Sequence, residues 1–103
     1  QEIAVLVHEG ATLVAGLSGY TAWGWLYVQW LWVAETQRGQ GFAGRLLAEA
    51  EREARRRQCH GAYIHTFNPK ALQVYQKAGY SPFGALDDFP HGRTRHFLSK
   101  TLI

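Results

Sequence analysis

Three glycines at a strand-to-helix junction limit this chain more than any other feature. The segment Arg38-Gly39-Gln40-Gly41-Phe42-Ala43-Gly44-Arg45-Leu46-Leu47 follows the apolar run Trp30-Leu31-Trp32-Val33-Ala34 and opens into a helical pattern. The first N–H groups of a helix have no partner inside it, and the helix dipole favours an anion there. Glycine lets the main chain approach a phosphate closely and take a positive φ where the turn needs one. The junction therefore suits a phosphate group; the alternative is a connection that binds nothing. Gly39, Gly41 and Gly44 fit the spacing G-x-G-x-x-G. In a dinucleotide-binding unit an acidic residue would follow about 20 residues later. Here that place falls near Cys59-His60, which is not acidic. No G-K-[ST] closes the loop, which excludes a P-loop.

A second ordered segment, Asn68-Pro69-Lys70-Ala71-Leu72-Gln73-Val74-Tyr75-Gln76-Lys77-Ala78-Gly79-Tyr80, lies one β-α unit downstream. Together the two segments resemble the GNAT superfamily of acyl-CoA-dependent N-acyltransferases. The family's pyrophosphate loop, Q/R-x-x-G-x-G/A, is met by Arg38, Gly41 and Ala43, preceded by the strand end Leu31-x-Val33. Asn68, Ala71, Tyr75 and Gly79-Tyr80 sit at the spacings of the family's later element. Phe83 to Gly92, followed by Arg95 to Lys100, is similar to a group of small bacterial members. The resemblance runs from about Leu13 to Leu102.

With 103 residues, the chain has enough material for one domain and not two. A composition 47% apolar and 18% charged is that of a folded domain. No apolar run reaches the length of a membrane helix, and no signal-peptide pattern is present. The single cysteine, Cys59, fits a reducing cytoplasm and reads as a small buried side chain. Arg52, Arg55, Arg56 and Arg57 crowd one helix end, where cations complement the dipole. With a net charge of only +3, they suggest a solvated helix face rather than a nucleic-acid surface.

Periodicity and turn residues predict strands over Ile3–Val7, Thr12–Thr21 and Trp25–Ala34. Ala22-Trp23-Gly24 is a hairpin turn, and Gly16 and Gly19 mark a bend or close backbone approach in the second strand. Strict alternation on the third strand would set Leu26, Val28, Trp30 and Trp32 against Tyr27, Gln29, Leu31 and Val33. The helix after the glycine loop runs to about Gln58 with an apolar stripe of Phe42, Leu46, Leu47, Ala50 and Ala54. Ala62–Phe67 is a strand. Asn68 then offers an N-cap oxygen, Pro69 suits the first helical position, and Gly79 ends the helix. Tyr80–Leu86 and Thr94–Leu102 are two final strands. The order β-β-β-α-β-α-β-β predicts an α/β (α+β) fold, a mixed, mostly antiparallel sheet with helices on both faces.

The resemblance implies one acetyltransferase domain, residues 1–103, lacking the strand and two helices that open other members. It implies acetyl-CoA as co-substrate, no metal, and a small-molecule or peptide amine as acceptor. The amine would attack the thioester directly with both substrates bound. Main chain from Arg38, Gly39, Gln40, Gly41, Phe42, Ala43 and Gly44 would take the pyrophosphate, with added charge from Arg38 and from Arg45, unless Arg45 simply points to solvent. The strand end at Leu31, Trp32 and Val33 would pair with pantetheine as an added strand does. Asn68 would contact the pantetheine arm, or serve as a cap alone. Tyr75 would be the general acid that protonates the leaving thiolate, or else a packed core tyrosine. Many members place a carboxylate base on the strand before the glycine loop; here that strand offers Tyr27 and Gln29. Glu35, His65 and water are the other candidates. The missing carboxylate keeps open a second reading, a non-catalytic CoA-binding protein of the same fold. Dimers are common in the superfamily, so a homodimer is compatible with this chain.

Overall fold

The computed structural model describes all of Gln1–Ile103. Its first three strands, β1 (Glu2–Glu9), β2 (Thr12–Ala22) and β3 (Trp25–Val33), form an antiparallel meander joined by the short turns the sequence marks. A 3-10 turn at Glu35–Gln37 leads to α1 (Phe42–Arg56), followed by β4 (Gly61–Thr66) and α2 (Pro69–Lys77). The chain closes with β5 (Ser81–Leu86) and β6 (Arg95–Thr101). One six-stranded sheet results, in the order β1-β2-β3-β4-β6-β5. Only β3 and β4 are parallel, as the α1 crossover requires.

The sheet type is as the sequence predicts; the placing of the helices is not. Both pack on one face. Ala15, Leu17, Leu26, Val28, Ala62, Ile64 and Leu98 point to that side and meet Leu46, Leu47, Ala50 and Ala54 of α1 and Tyr75 of α2 in a single core. Each helix has one apolar stripe, and this is the sheet face with matching apolar side chains. The other face carries Tyr20, Tyr27, Tyr63, His65 and Phe97, rings stacked or set edge-on between neighbouring strands. Cys59 is part of the core.

A second correction concerns β3. Ser18 pairs with Trp30, but Gly19 pairs with Val28, so Gln29 is an extra residue without a partner on β2. Such a bulge reverses the in–out alternation beyond it. Leu26 and Val28 are buried before it, whereas after it Leu31 and Val33 turn to the core. Trp30 and Trp32 face outward, 71% and 46% exposed, against the simple alternation. Gly19 permits this approach. A Cβ on it would overlap the main-chain oxygen of Tyr27.

A buried polar group ties the two helices to the sheet. Glu51 of α1 is buried, accepts from the Tyr80 hydroxyl at 2.9 Å and pairs with Lys100 Nζ of β6 at 2.8 Å. Lys100 also donates to the Ala78 carbonyl just past α2 at 2.8 Å. The arginines closing α1 are likewise committed. Arg52 pairs with Glu49, Arg56 and Arg57 pair with Glu53, and Arg55 donates to the Leu102 carbonyl. Glu53 is held at a pKa of about 2, chiefly by its hydrogen bonds from Arg56 and Arg57.

Two outcomes follow for stability. Gly19→Ala should cost about 3 kcal/mol, because the methyl meets rigid backbone; urea denaturation measures it, and a loss near zero would show that β3 can retreat. Burial raises the phenols of Tyr75 and Tyr80 above their ordinary 10.0, and Glu51 raises Tyr80 further. Unfolded tyrosine ionises first, so this contribution is complete below pH 10.0 and is lost as pH rises through the folded values. The free energy of unfolding should therefore decline from about pH 10 upward, and less steeply in Tyr80→Phe.

Candidate active site

The parallel pair at the centre of the sheet comes apart. Trp25, Leu26 and Tyr27 pair with Gly61, Ala62 and Tyr63, and there the ladder ends. β3 continues to Val33 against β2 alone, and β4 continues to Thr66 against β6 alone. The separation begins beside the bulge at Gln29, where added twist carries β3 away from its neighbour. Alternate main-chain groups of Val28–Val33 consequently face a gap with no strand partner. Leu31, Trp32 and Val33 all lie on this open stretch. Because β3 and β4 are parallel, the segments that follow them leave at the same end of the gap.

The segment after β3 is the glycine loop. Arg38 curls back, and its Nε donates to the Val33 carbonyl at 3.1 Å, closing the turn. Gly39 and Gly41 take φ of 81° and 80°, and a Cβ at Gly39, Gly41 or Gly44 would meet nothing within 4 Å. Space therefore lies in front of the loop. Gly41 is the N-cap of α1 and supplies no side chain; the first turn holds no acidic residue. The first bond of the helix runs from Arg45 N–H to the Gly41 carbonyl. The N–H groups of Phe42, Ala43 and Gly44 remain for a ligand. Gln40 is exposed beside them, Phe42 packs on the core, and the Arg45 guanidinium lies 5.0 Å from the Phe42 ring centre.

The segment after β4 ends differently. Asn68 Oδ1 accepts from Lys70 N–H at 2.9 Å and from Ala71 N–H at 3.4 Å, capping α2 internally. The cap reading of Asn68 is thus correct for its oxygen. Its side-chain NH₂ makes no hydrogen bond within the protein and is free for a ligand. Tyr75 is buried against the core, yet its hydroxyl has no protein partner. No buried side-chain oxygen or nitrogen is left unsatisfied, so this hydroxyl reaches solvent. Burial raises its pKa.

His65 is not placed as a free base. Glu35 is exposed in the 3-10 turn. His65 has both ring nitrogens engaged, Nε2 with the Tyr27 hydroxyl at 2.7 Å and Nδ1 with Arg95 Nη1 at 2.9 Å. Burial first, and Arg95 second, lower its pKa. Burial and then Tyr20 raise that of Tyr27, against an opposing effect of Arg95. Arg95 is the residue that sequence reading missed. It lies 30 positions from His65, and only the β4–β6 register brings them together. Beside this group, Tyr20, Trp23, Trp25, Tyr27, Tyr63 and Phe83 line an aromatic hollow of about 460 Å³. No helix of the chain is long and apolar enough to cross a membrane.

The chain is also similar to known proteins. A family model described as acetyltransferase (GNAT) family matches residues 1–80. An acetyltransferase of Agrobacterium fabrum is 51% identical over 93 residues, covering 90% of this chain and 68% of that protein. Blasticidin-S acetyltransferase of Streptomyces morookaense is 40% identical over 95 residues, covering 91% of this chain and 70% of that protein. The crystal structure of an acetyltransferase from Bacillus cereus superposes with a TM-score of 0.92 at 30% identity, covering 98% of this chain and 73% of its own. A glycine loop on an uncapped helix, a forked parallel pair and these relatives lead to one statement: the chain belongs to the GNAT family of acetyltransferases.

Proposed function

We propose that this acetyltransferase is an N-acetyltransferase that moves the acetyl group of acetyl-CoA to a primary amine on a small molecule or peptide. The observation that carries this reading is the difference between the two helix ends at the gap. α2 satisfies its own first N–H groups through Asn68, whereas α1 leaves Phe42, Ala43 and Gly44 unpaired behind a loop with open space at Gly39, Gly41 and Gly44. Such an end takes a pyrophosphate. The free edge of β3 at Leu31, Trp32 and Val33 then supplies main-chain partners for the pantetheine amides, as a sheet edge does for an added strand. The side-chain NH₂ of Asn68 is a further donor on the β4 side.

In this reading the amine nitrogen forms its bond to the thioester carbonyl carbon as the carbon–sulfur bond breaks. The nitrogen loses a proton to water, since no carboxylate stands on β3. Tyr75 gives its phenolic proton to the departing thiolate and recovers one from solvent, leaving an amide and the free thiol of CoA. A phenol suits this role because it is protonated at neutral pH and can give its proton to the thiolate as that forms. The acceptor class follows the relative named for blasticidin S, a small molecule, and the aromatic hollow beside the fork suits the body of such an acceptor.

Calorimetric titration with acetyl-CoA, CoA and a phosphate-free pantetheine analogue tests the first half. Binding is expected to require the pyrophosphate; equal affinity for the analogue would remove the loop from the site. Gly41→Asp should abolish acetyl-CoA binding while the fold persists. Aspartate tolerates positive φ better than most residues, and a Cβ there meets nothing within 4 Å. Retained affinity in that variant would count against the proposal. Tyr75→Phe should lower kcat about 10²-fold or more with the dissociation constant of acetyl-CoA unchanged. An equal loss of binding and turnover would make Tyr75 a packing residue only.

A further inference from the structure

Three side chains from three strands form a continuous polar chain at the fork. Arg95 of β6 reaches His65 Nδ1 with Nη1 at 2.9 Å, and His65 Nε2 lies 2.7 Å from the Tyr27 hydroxyl of β3. Arg95 is itself fixed. Its Nε donates to the Phe89 carbonyl at 3.3 Å, and its guanidinium lies 4.1 Å from the Phe89 ring centre and 5.1 Å from that of Phe67. The β5–β6 loop thus grips the far end of the chain, and Tyr27 is the last residue of β3 paired with β4.

The chemistry of these groups leaves one arrangement. A guanidinium carries donors and no acceptor. His65 Nδ1 must therefore accept, and the proton of the neutral ring sits on Nε2. Nε2–H then donates to the Tyr27 oxygen, whose own O–H has no other partner in the protein. Protonating Nδ1 would break the Arg95 bond and set two cations against each other. The groups facing the imidazole are Tyr27 from β3 and Arg95 and Phe97 from β6, with Tyr20 and Tyr63 next to Tyr27; none is a carboxylate that would offset that charge.

We infer that Arg95 is a positioning residue that locks His65 as the neutral Nε2–H tautomer, so that the fork presents the Tyr27 hydroxyl as a hydrogen-bond donor and withholds the imidazole from proton transfer. A ligand at the fork would then meet a donor suited to an oxygen or nitrogen lone pair. Histidine catalysis of amine deprotonation is excluded at this position. The bearing on turnover rests on the acetyl-transfer reading above; the tautomer itself belongs to the free protein.

Two-bond ¹H–¹⁵N correlation spectra of the uniformly ¹⁵N-labelled protein, titrated from about pH 5 to about pH 8, test the inference without substrate. The wild-type His65 ring should show protonated Nε2 and unprotonated Nδ1, with a midpoint below the ordinary 6.5. Arg95→Met, which keeps an apolar stem for Phe67 and Phe89, should give a mixture of tautomers and a midpoint shifted upward. Arg95→Lys, which keeps a cationic donor, should retain the wild-type pattern. Tyr27→Phe should retain the Nε2–H form as well, because Arg95 and not Tyr27 dictates it. A neutral Nδ1–H tautomer in the wild type above its midpoint would overturn the inference, and this measurement needs no variant to fold. So would an unchanged pattern in Arg95→Met, or a loss of the Nε2–H form in Tyr27→Phe. A failure of acetyl-CoA to bind would sink the acetyl-transfer reading and leave these spectra as they are.

Discussion

One unpaired residue, Gln29, sets the geometry of the whole site. Gly19 allows the β3 backbone to press against β2, and the ladder skips a residue there. The skip reverses the strand, so that Leu31 and Val33 hold the core while Trp30 and Trp32 turn outward. It also falls where pairing with β4 stops. A regular β3 would extend the parallel ladder and close the gap that an acyl-pantetheine arm would enter. Local irregularity in one strand therefore creates a binding slot without any loop having to move.

The two ends that meet at this slot divide the work. α2 is complete in itself, capped by Asn68 and entered through Pro69. α1 is left incomplete, with glycine at its cap and no acid in its first turn. Unpaired N–H groups at a solvent-facing helix end cost little, since water satisfies them until an anion displaces it. The stability withheld from that end is supplied at the other. There Glu53 gathers Arg56 and Arg57, and Arg55 donates to the Leu102 carbonyl just past β6.

Much of this was legible in the sequence, because much of it is local. The glycine junction, the Asn-Pro start of α2 and the hairpin at Trp23-Gly24 depend on neighbours within a few residues, and their elements stand within one or two residues of where periodicity puts them. The reversal in β3 was not legible, because a bulge is a relation between two strands. Gly19 hinted at it without saying on which strand the extra residue would lie. The placing of both helices on one face followed from the matching of apolar faces across the domain, which no single segment encodes. The same holds for Glu51 with Tyr80 and Lys100, and for His65 with Arg95. Each joins residues tens of positions apart through strand register alone.

The outward turn of Trp30 and Trp32 has an optical consequence. Trp23 and Trp25 are also exposed, so none of the four tryptophans lies in the core. The native protein should already emit at the long wavelengths of hydrated indole, and unfolding will move that emission little. Tyrosine absorbance or far-ultraviolet dichroism is the better monitor of folding. Tryptophan emission is left to report on Trp32 at the edge of the slot and on Trp23 and Trp25 around the hollow, where anything that docks must exclude water.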